Sequence, residues 1–574
     1  MSAKTSHFIL LNSLILFGTL CHSLPLSTSN RWIIDVASGN RVKLACVNWA
    51  AHMEAMVAEG LDKKPLKEIA TKVALLGFNC VRLTWATFMF TRKQQASHTV
   101  AQSLHSLGLH KASIGMAKNN PSLLNLTLVE AYEAVVNELG ANDLMVVLDN
   151  HVSRPMWCCR SNDGNGFFGD QHFSSEEWLQ GLTEVAERFN GVRQVVAMSM
   201  RNELRGARQN VSQWYHYVQK GARSIHEANP EVLVIVSGLN YDTNLNFLQR
   251  RPLNLNLDNK LVYEAHWYSF SGKRREWEVQ PLNQVCASAI QRFKNQAAFL
   301  ITGQNPVPLF VSEFGVDQRG VNRADNRFLS CFLSFAAEND LDWALWALQG
   351  SYYLRNGRPG FDESYGVLDV DWNNLRNPKF QERFQLIQTM IQGMVHPFPH
   401  LIKINHAILT HYSTIFIGID IRMGGSKNRF YPSSNASTYL MMYHPQSGRC
   451  VQVKGEDRIY LSSCQSGSRW SHEGEENPIR LIGSGLCLKV VGDGLPPILS
   501  TDCTSPQSTW KFVSSSKLHI AAPDEKSKML CLESNFSNFS VIITGKCLCL
   551  EDTSTCNRDP QQQWFKLIPT NLQN

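Results

Sequence analysis

Charge is scarce in this sequence: 18% of its 574 residues are Asp, Glu, Lys or Arg, against about a quarter in an average soluble protein. Basic and acidic residues nearly cancel, 55 against 49, and Lys273-Arg274-Arg275 is the one tight basic cluster. Binding a nucleic-acid backbone takes a dense basic stripe, so nucleic acid is disfavoured as a partner. Past the N-terminus there is no apolar stretch of the roughly 20 residues that a bilayer requires. Also missing are His-Glu-x-x-His, the Walker A loop and Gly-x-Ser-x-Gly, which disfavours metalloprotease, NTPase and lipase chemistry. Gly164-x-Gly166-x-x-Gly169 formally matches a dinucleotide fingerprint. Polar residues separate it from the preceding apolar run and no helix opens within it, so the match is rejected. Neither a metal nor an organic cofactor is expected.

Apolar material is plentiful, at 43% hydrophobic and 10% aromatic. That suffices for two to four domains, or for one barrel with an appendage. Lys4, the mostly apolar run Phe8 to Leu20 and the following Cys21-His22-Ser23 have the layout of a signal peptide over residues 1–23. The protein is therefore expected to be secreted, to the extracellular space or cell wall, with no membrane attachment after cleavage. Loss of Cys21 leaves 14 of the 15 cysteines, an even number suited to an oxidising compartment. Acceptor sequons at Asn125, Asn210, Asn435, Asn535 and Asn538 agree with a secreted glycoprotein.

Eight short apolar runs follow: Val42–Val47, Asn79–Thr84, Leu144–Leu148, Val195–Met200, Val232–Ser237, Leu261–Ala265, Pro308–Ser312 and Trp343–Trp346. Continuous rather than alternating, they suit strands buried on both faces, as in a parallel sheet. Helical patterns lie between them, such as Leu66 to Leu76 and Ser174 to Phe189. Eight such units predict a (β/α)8 TIM barrel over residues 31–392, with an open doubly wound sheet as the alternative. From 435 to 570 the character changes to an all-β, Gly- and Ser-rich region holding eight cysteines. Three segments there share one layout: Cys450, Cys464, Trp470; Cys487, Cys503, Trp510; and Cys531, Cys547, Trp564. An approximate, disulfide-stapled triplication predicts a β-trefoil. Cys549 and Cys556 are left to pair with each other or to alter the third repeat. Residues 393–434 fit neither part and are read as a linker or insert of uncertain status.

In a parallel barrel, functional groups stand where strands end at the C-terminal face. Here those positions are polar: Arg82, Asp149-Asn150-His151, Arg201-Asn202-Glu203, His266, Tyr268 and Glu313, with Trp346 ending the last run. Charged groups at the mouth of a buried sheet are costly unless paired or used. Cys158 and Cys159 are each expected to pair with one of Cys46, Cys80, Cys286 or Cys331.

These motifs resemble family 5 of the glycoside hydrolases, the cellulase family, from about Arg31 to Gln392. Gly77-Phe78-Asn79-Cys80-Val81-Arg82 is similar to the family's second-strand arginine motif, and Asp149-Asn150-His151 to its third-strand histidine. Asn202-Glu203, His266-Trp267-Tyr268, Ser312-Glu313-Phe314-Gly315 and Trp346 resemble its acid/base, His-x-Tyr, nucleophile and last-strand tryptophan motifs. The resemblance implies a retaining glycosidase, which needs two carboxyl groups about 5 Å apart, with Glu313 as nucleophile and Glu203 as acid/base. Trp157, Phe167 and Phe168, in the loop after the third run, would either line further sugar positions or pack that loop. Arg82 and Tyr268 would keep Glu313 ionised, Asn202 would hold a sugar 2-hydroxyl, and Trp346 would offer a flat face to a pyranose. For His151 and His266, scaffolding and substrate contact both stay open. The C-terminal repeats resemble ricin-B-type lectin modules, in a plant group of secreted proteins. Where galactose-binding repeats carry an Asp, this sequence has Gln452, Lys489 and Glu533, with Glu551 in an extra Cys-Leu-Glu. A sugar-binding and a purely structural trefoil both remain open. The expected activity is endo-β-1,4-glucanase-like hydrolysis of cell-wall polysaccharide. Alternatives are β-mannanase or exo-β-glucosidase activity, or a carbohydrate-binding protein without catalysis.

Overall fold

The computed structural model describes residues 25–393 and 439–572, apart from 456–457, 466, 536–539, 551–555 and 557. The signal-peptide reading, the insert beyond Gly393, Asn435, Asn538 and Glu551 lie outside the described residues.

All eight apolar runs are strands: β1 (Ala45–Trp49), β2 (Cys80–Ala86), β3 (Met145–Val152), β4 (Val195–Ser199), β5 (Leu233–Val236), β6 (Leu261–His266), β7 (Leu309–Phe314) and β8 (Asp342–Leu345). They are parallel and adjacent in chain order, and β8 closes on β1, which removes the open-sheet alternative. Nearly every strand residue is buried, because one side of the sheet faces the barrel interior and the other faces helices. The main helices are α1 (Leu66–Leu75), α2 (Leu128–Ala141), α3 (Ser175–Arg188), α4 (Val211–Ala228), α5 (Leu282–Gln296), α6 (Arg323–Asn339) and α7 (Pro378–Gln388). The Thr127 hydroxyl caps α2 by accepting from the Glu130 amide, and the Glu130 carboxylate accepts from the Thr127 amide in return. After β5 there is only a single 3₁₀ turn, Asn246–Gln249. An antiparallel hairpin, Leu26–Ser29 with Trp32–Asp35, brings Leu26 and Ile33 into the cluster of interior side chains that includes Val147, Ile235 and Phe310.

The barrel cysteines pair differently from expectation. Cys158 and Cys159 bond to each other, while Cys46 bonds Cys80 and Cys286 bonds Cys331. Strand register explains part of this, since Cys46 of β1 lies directly opposite Cys80 of β2. Cys286 and Cys331 meet across the packed helices α5 and α6.

The C-terminal region is all-β. Its disulfides join Cys450 to Cys464, Cys487 to Cys503 and Cys531 to Cys547, one in each sequence repeat, and Cys549 pairs with Cys556. Trp470, Trp510 and Trp564 are all fully buried. The first two donate their indole N–H to the carbonyl that follows the repeat's first cysteine, Val451 and Leu488. The third departs from this rule. Trp564 belongs to the barrel's hydrophobic cluster and donates to Oδ1 of Asn283 on α5, at 3.0 Å. The same Asn283 oxygen accepts from Ser516 Oγ at 2.7 Å, and its amide donates to the Cys549 carbonyl at 2.8 Å. A buried barrel asparagine thus completes the polar groups of the C-terminal region. Replacing Asn283 by Ala strands these partners, each at about 1–3 kcal/mol. Urea unfolding of the variant should show a loss of about 2–4 kcal/mol, with earlier exposure of tryptophan fluorescence.

Candidate active site

Arg82 on β2 organises the C-terminal mouth of the barrel. Its side chain is fully buried, and its Nη1 donates to Asn48 Oδ1 at 2.9 Å and Glu313 Oε1 at 2.8 Å. Nη2 donates to Asn202 Oδ1 at 3.0 Å and lies 2.9 Å from Asp149 Oδ1 and 3.7 Å from Glu264 Oε2. Burial works against its charge, yet Asp149, Glu264 and Glu313 outweigh this and raise its pKa.

Glu313, next to last in β7, receives Arg82 on one oxygen and the Tyr268 hydroxyl on the other, at 2.9 Å. Glu203, just past β4, has a left-handed backbone with φ of 47°, unusual for a non-glycine residue. Its amide donates to Asp242 Oδ2 at 2.9 Å, and its Oε1 shares a 2.9 Å hydrogen bond with His266 Nδ1. The other side of the imidazole faces Asp242, with Nε2 3.6 Å from Oδ2. One carboxylate oxygen of Glu203 and one of Glu313 approach within 4.8 Å of each other. His151 bonds Asp149 at 2.6 Å through Nδ1 and stacks on Trp346, with ring centroids 5.5 Å apart.

All eight residues singled out from the sequence therefore meet at this mouth. Glu203, Glu313, His151, Asn202, His266, Tyr268 and Trp346 line an open cleft of about 630 Å³, and Arg82 lies buried behind Glu313 and Asn202. Three further residues escaped the sequence reading. Asn48 and Asp242 follow the first and fifth runs, strand ends that carry no recognised motif, while Glu264 sits inside β6 as if it were core. Of the three aromatic residues singled out in the loop after β3, Trp157 reaches the cleft. Phe167 and Phe168 are buried, the latter against Phe173, Trp178 and Tyr217.

The two carboxyl groups differ in their surroundings. Burial lifts the Glu203 pKa to about 7, with Asp149 and Asp163 adding to the rise and Arg205 and Arg82 opposing it. Burial also raises that of Glu313, against the pull of His266 and Arg82. The expectation that Arg82 and Tyr268 would keep Glu313 ionised thus needs correction, because desolvation outweighs the pull of the neighbouring His266 and Arg82. His266 is held below its usual range, chiefly by burial.

A parallel barrel whose mouth carries two close carboxyl groups in an open cleft has the layout of a glycoside hydrolase. Residues 37–351 match the family model of cellulase (glycosyl hydrolase family 5). The chain is 43% identical, over 98% of its length and 96% of the relative's, to a glycosyl hydrolase 5 family protein of Chamaecyparis obtusa. The protein belongs to glycosyl hydrolase family 5. It is also 21% identical to an endoglucanase of Paenibacillus polymyxa, over 65% of this chain and 92% of that one. Among solved structures, an endocellulase from Pyrococcus horikoshii shares the barrel fold at 19% identity and a TM-score of 0.53, covering 64% of this chain and 99% of that one.

Carboxyl titration followed by carbon-13 NMR should show Glu203 half-protonated near pH 7. Since Glu203 contributes to the raised pKa of Glu313, Glu203→Gln should move the Glu313 midpoint to lower pH.

Proposed function

We propose that this protein is a secreted, retaining endo-β-1,4-glucanase-like hydrolase of cell-wall polysaccharide. The observation that carries the reading is the approach of Glu203 and Glu313 to within 4.8 Å. Retaining enzymes place their carboxyl groups about 5–5.5 Å apart, whereas inverting enzymes leave about 6.5–9.5 Å for a water molecule. Glu313 attacks the anomeric carbon. Arg82 and the Tyr268 hydroxyl hold its two oxygens, so the attacking lone pair is aimed before substrate arrives. Glu203, protonated up to about pH 7, delivers its proton to the leaving oxygen. It then takes a proton from the water that breaks the glycosyl–Glu313 ester. His266 fixes the Glu203 carboxyl, and Asp242 anchors its backbone. A β-1,4-glucan is favoured by the endoglucanase relatives and by an endocellulase of the same fold, at a TM-score of 0.51, described in complex with cellotetraose.

Secretion fits the seven disulfides among the described residues. We take the C-terminal region to be a ricin-B-type trefoil serving as scaffold. At its three sugar-deciding positions, Gln452 is buried and bonded to the Ser463 carbonyl and Ser468 amide. Lys489 pairs with Asp502, and Glu533 accepts from Gln563.

Reducing-sugar release from β-glucans, mannans and aryl glycosides tests the activity. Wild type should be active on the glucans, and Glu203→Gln should lose about 10²–10⁴-fold in kcat. Equal signal from wild type and Glu313→Gln would sink the enzymatic reading. Proton NMR of the first product should show the β anomer; an α product would refute retention. Activity should fall as pH rises through about 7, where Glu203 loses its proton, and Glu203→Gln should lack that limb.

A further inference from the structure

The Cys158–Cys159 disulfide lines the cleft. Cys158 is buried against Ala86 and Val152, at the ends of β2 and β3, while Cys159 is half-exposed toward the opening. Both sulfurs lie 3.6 Å from Nδ2 of Asn202, and His151 Nε2 lies 3.5 Å from the same atom. The orientation of that amide is determined from behind. Arg82 offers only donors, so Asn202 must turn its oxygen toward the guanidinium and its NH₂ toward the sulfurs. The NH₂ group thus faces two weak sulfur acceptors and a distant ring nitrogen among the described residues, with no oxygen to receive it.

A disulfide between adjacent residues differs from two thiols at this spot. It carries no hydrogen to donate, and covalent closure points both sulfurs at one neighbour. Its outer surface is apolar and polarisable, and it stands in the same cleft as Trp346 and Trp157, whose rings are 6.4 Å apart. Such a surface suits the C–H face of a pyranose, while the amide beside it is left for a sugar hydroxyl.

We propose that the Cys158–Cys159 disulfide is a substrate-binding element, an acceptor-only wall that packs on the sugar held beside Asn202 and keeps the Asn202 NH₂ available to it. The proposal rests on the glycosidase reading, and its ligand class is a β-linked oligosaccharide.

In a Glu313→Gln background, which binds without turnover, calorimetric titration with cellotetraose and mannotetraose tests it. Cys158→Ala/Cys159→Ala and Cys158→Ser/Cys159→Ser should each weaken binding of the preferred sugar at least tenfold, with Tm held within a few degrees. Binding within twofold of the parent in a variant with lowered Tm would make the pair a loop staple and overturn the proposal. A parent that binds no sugar would defeat the glycosidase reading and the wall with it. Footprinting covers variants that fail to fold. After brief reduction and alkylation of the Glu313→Gln protein, bound tetraose should protect Cys158 and Cys159 but leave Cys549 and Cys556 labelled as before. Equal labelling of Cys158 and Cys159 with and without a tetraose that binds would overturn the proposal.

Discussion

One buried guanidinium holds the active site together. Arg82 reaches Asn48 from β1, Asp149 from β3, Asn202 from the end of β4 and Glu313 from β7, so a single cation links five strands of the mouth. Isolated, it would be prohibitively costly at full burial. Surrounded by carboxylates and amide oxygens, it becomes the reason those side chains share one geometry. It also orders their atoms, since a group that can only donate decides which oxygens face inward. The Glu313 oxygen it holds and the Asn202 NH₂ it turns outward are both consequences of that one-sided chemistry.

The neighbouring half of the site works by the opposite means. The Glu203 carboxyl has no cation in direct contact, and the imidazole it does touch is kept below its usual pKa by burial. That carboxyl is therefore governed mainly by desolvation, while that of Glu313 is governed by desolvation against the Arg82 guanidinium and the His266 ring. The left-handed backbone at Glu203 is part of the arrangement, since an unfavourable φ persists only where surroundings over-determine it. The amide bond to Asp242 and the bond to His266 do so from both ends of the residue.

The barrel was legible because strands buried on both faces leave continuous apolar runs, a signal that survives without any partner strand being known. The strand-end residues were legible for a related reason, as polar residues gather at the C-terminal ends of these runs, where the barrel opens. Asp242 and Asn48 obey the same rule but sit where a short polar residue reads as a turn. Glu264 was invisible, since a carboxyl inside a strand is explained only by the Arg82 opposite it, from another part of the chain. Cysteine pairing failed for the same cause: adjacent Cys158 and Cys159 look unable to meet, and the register that commits Cys46 to Cys80 is not a local property. The three tryptophans announced a repeat, yet nothing local distinguished Trp564, whose indole bonds across the domain boundary.

That crossing bears on how the two parts travel through evolution. A segment that is copied between genes must be able to shield its own backbone and side-chain dipoles wherever it lands. Two of the three repeats meet this condition, each indole closing onto a carbonyl of its own repeat. The third has given it up by turning its indole to Asn283. Recombination at the boundary would separate a donor from its acceptor, so the barrel and the β region, readable as two units in sequence, are heritable as one.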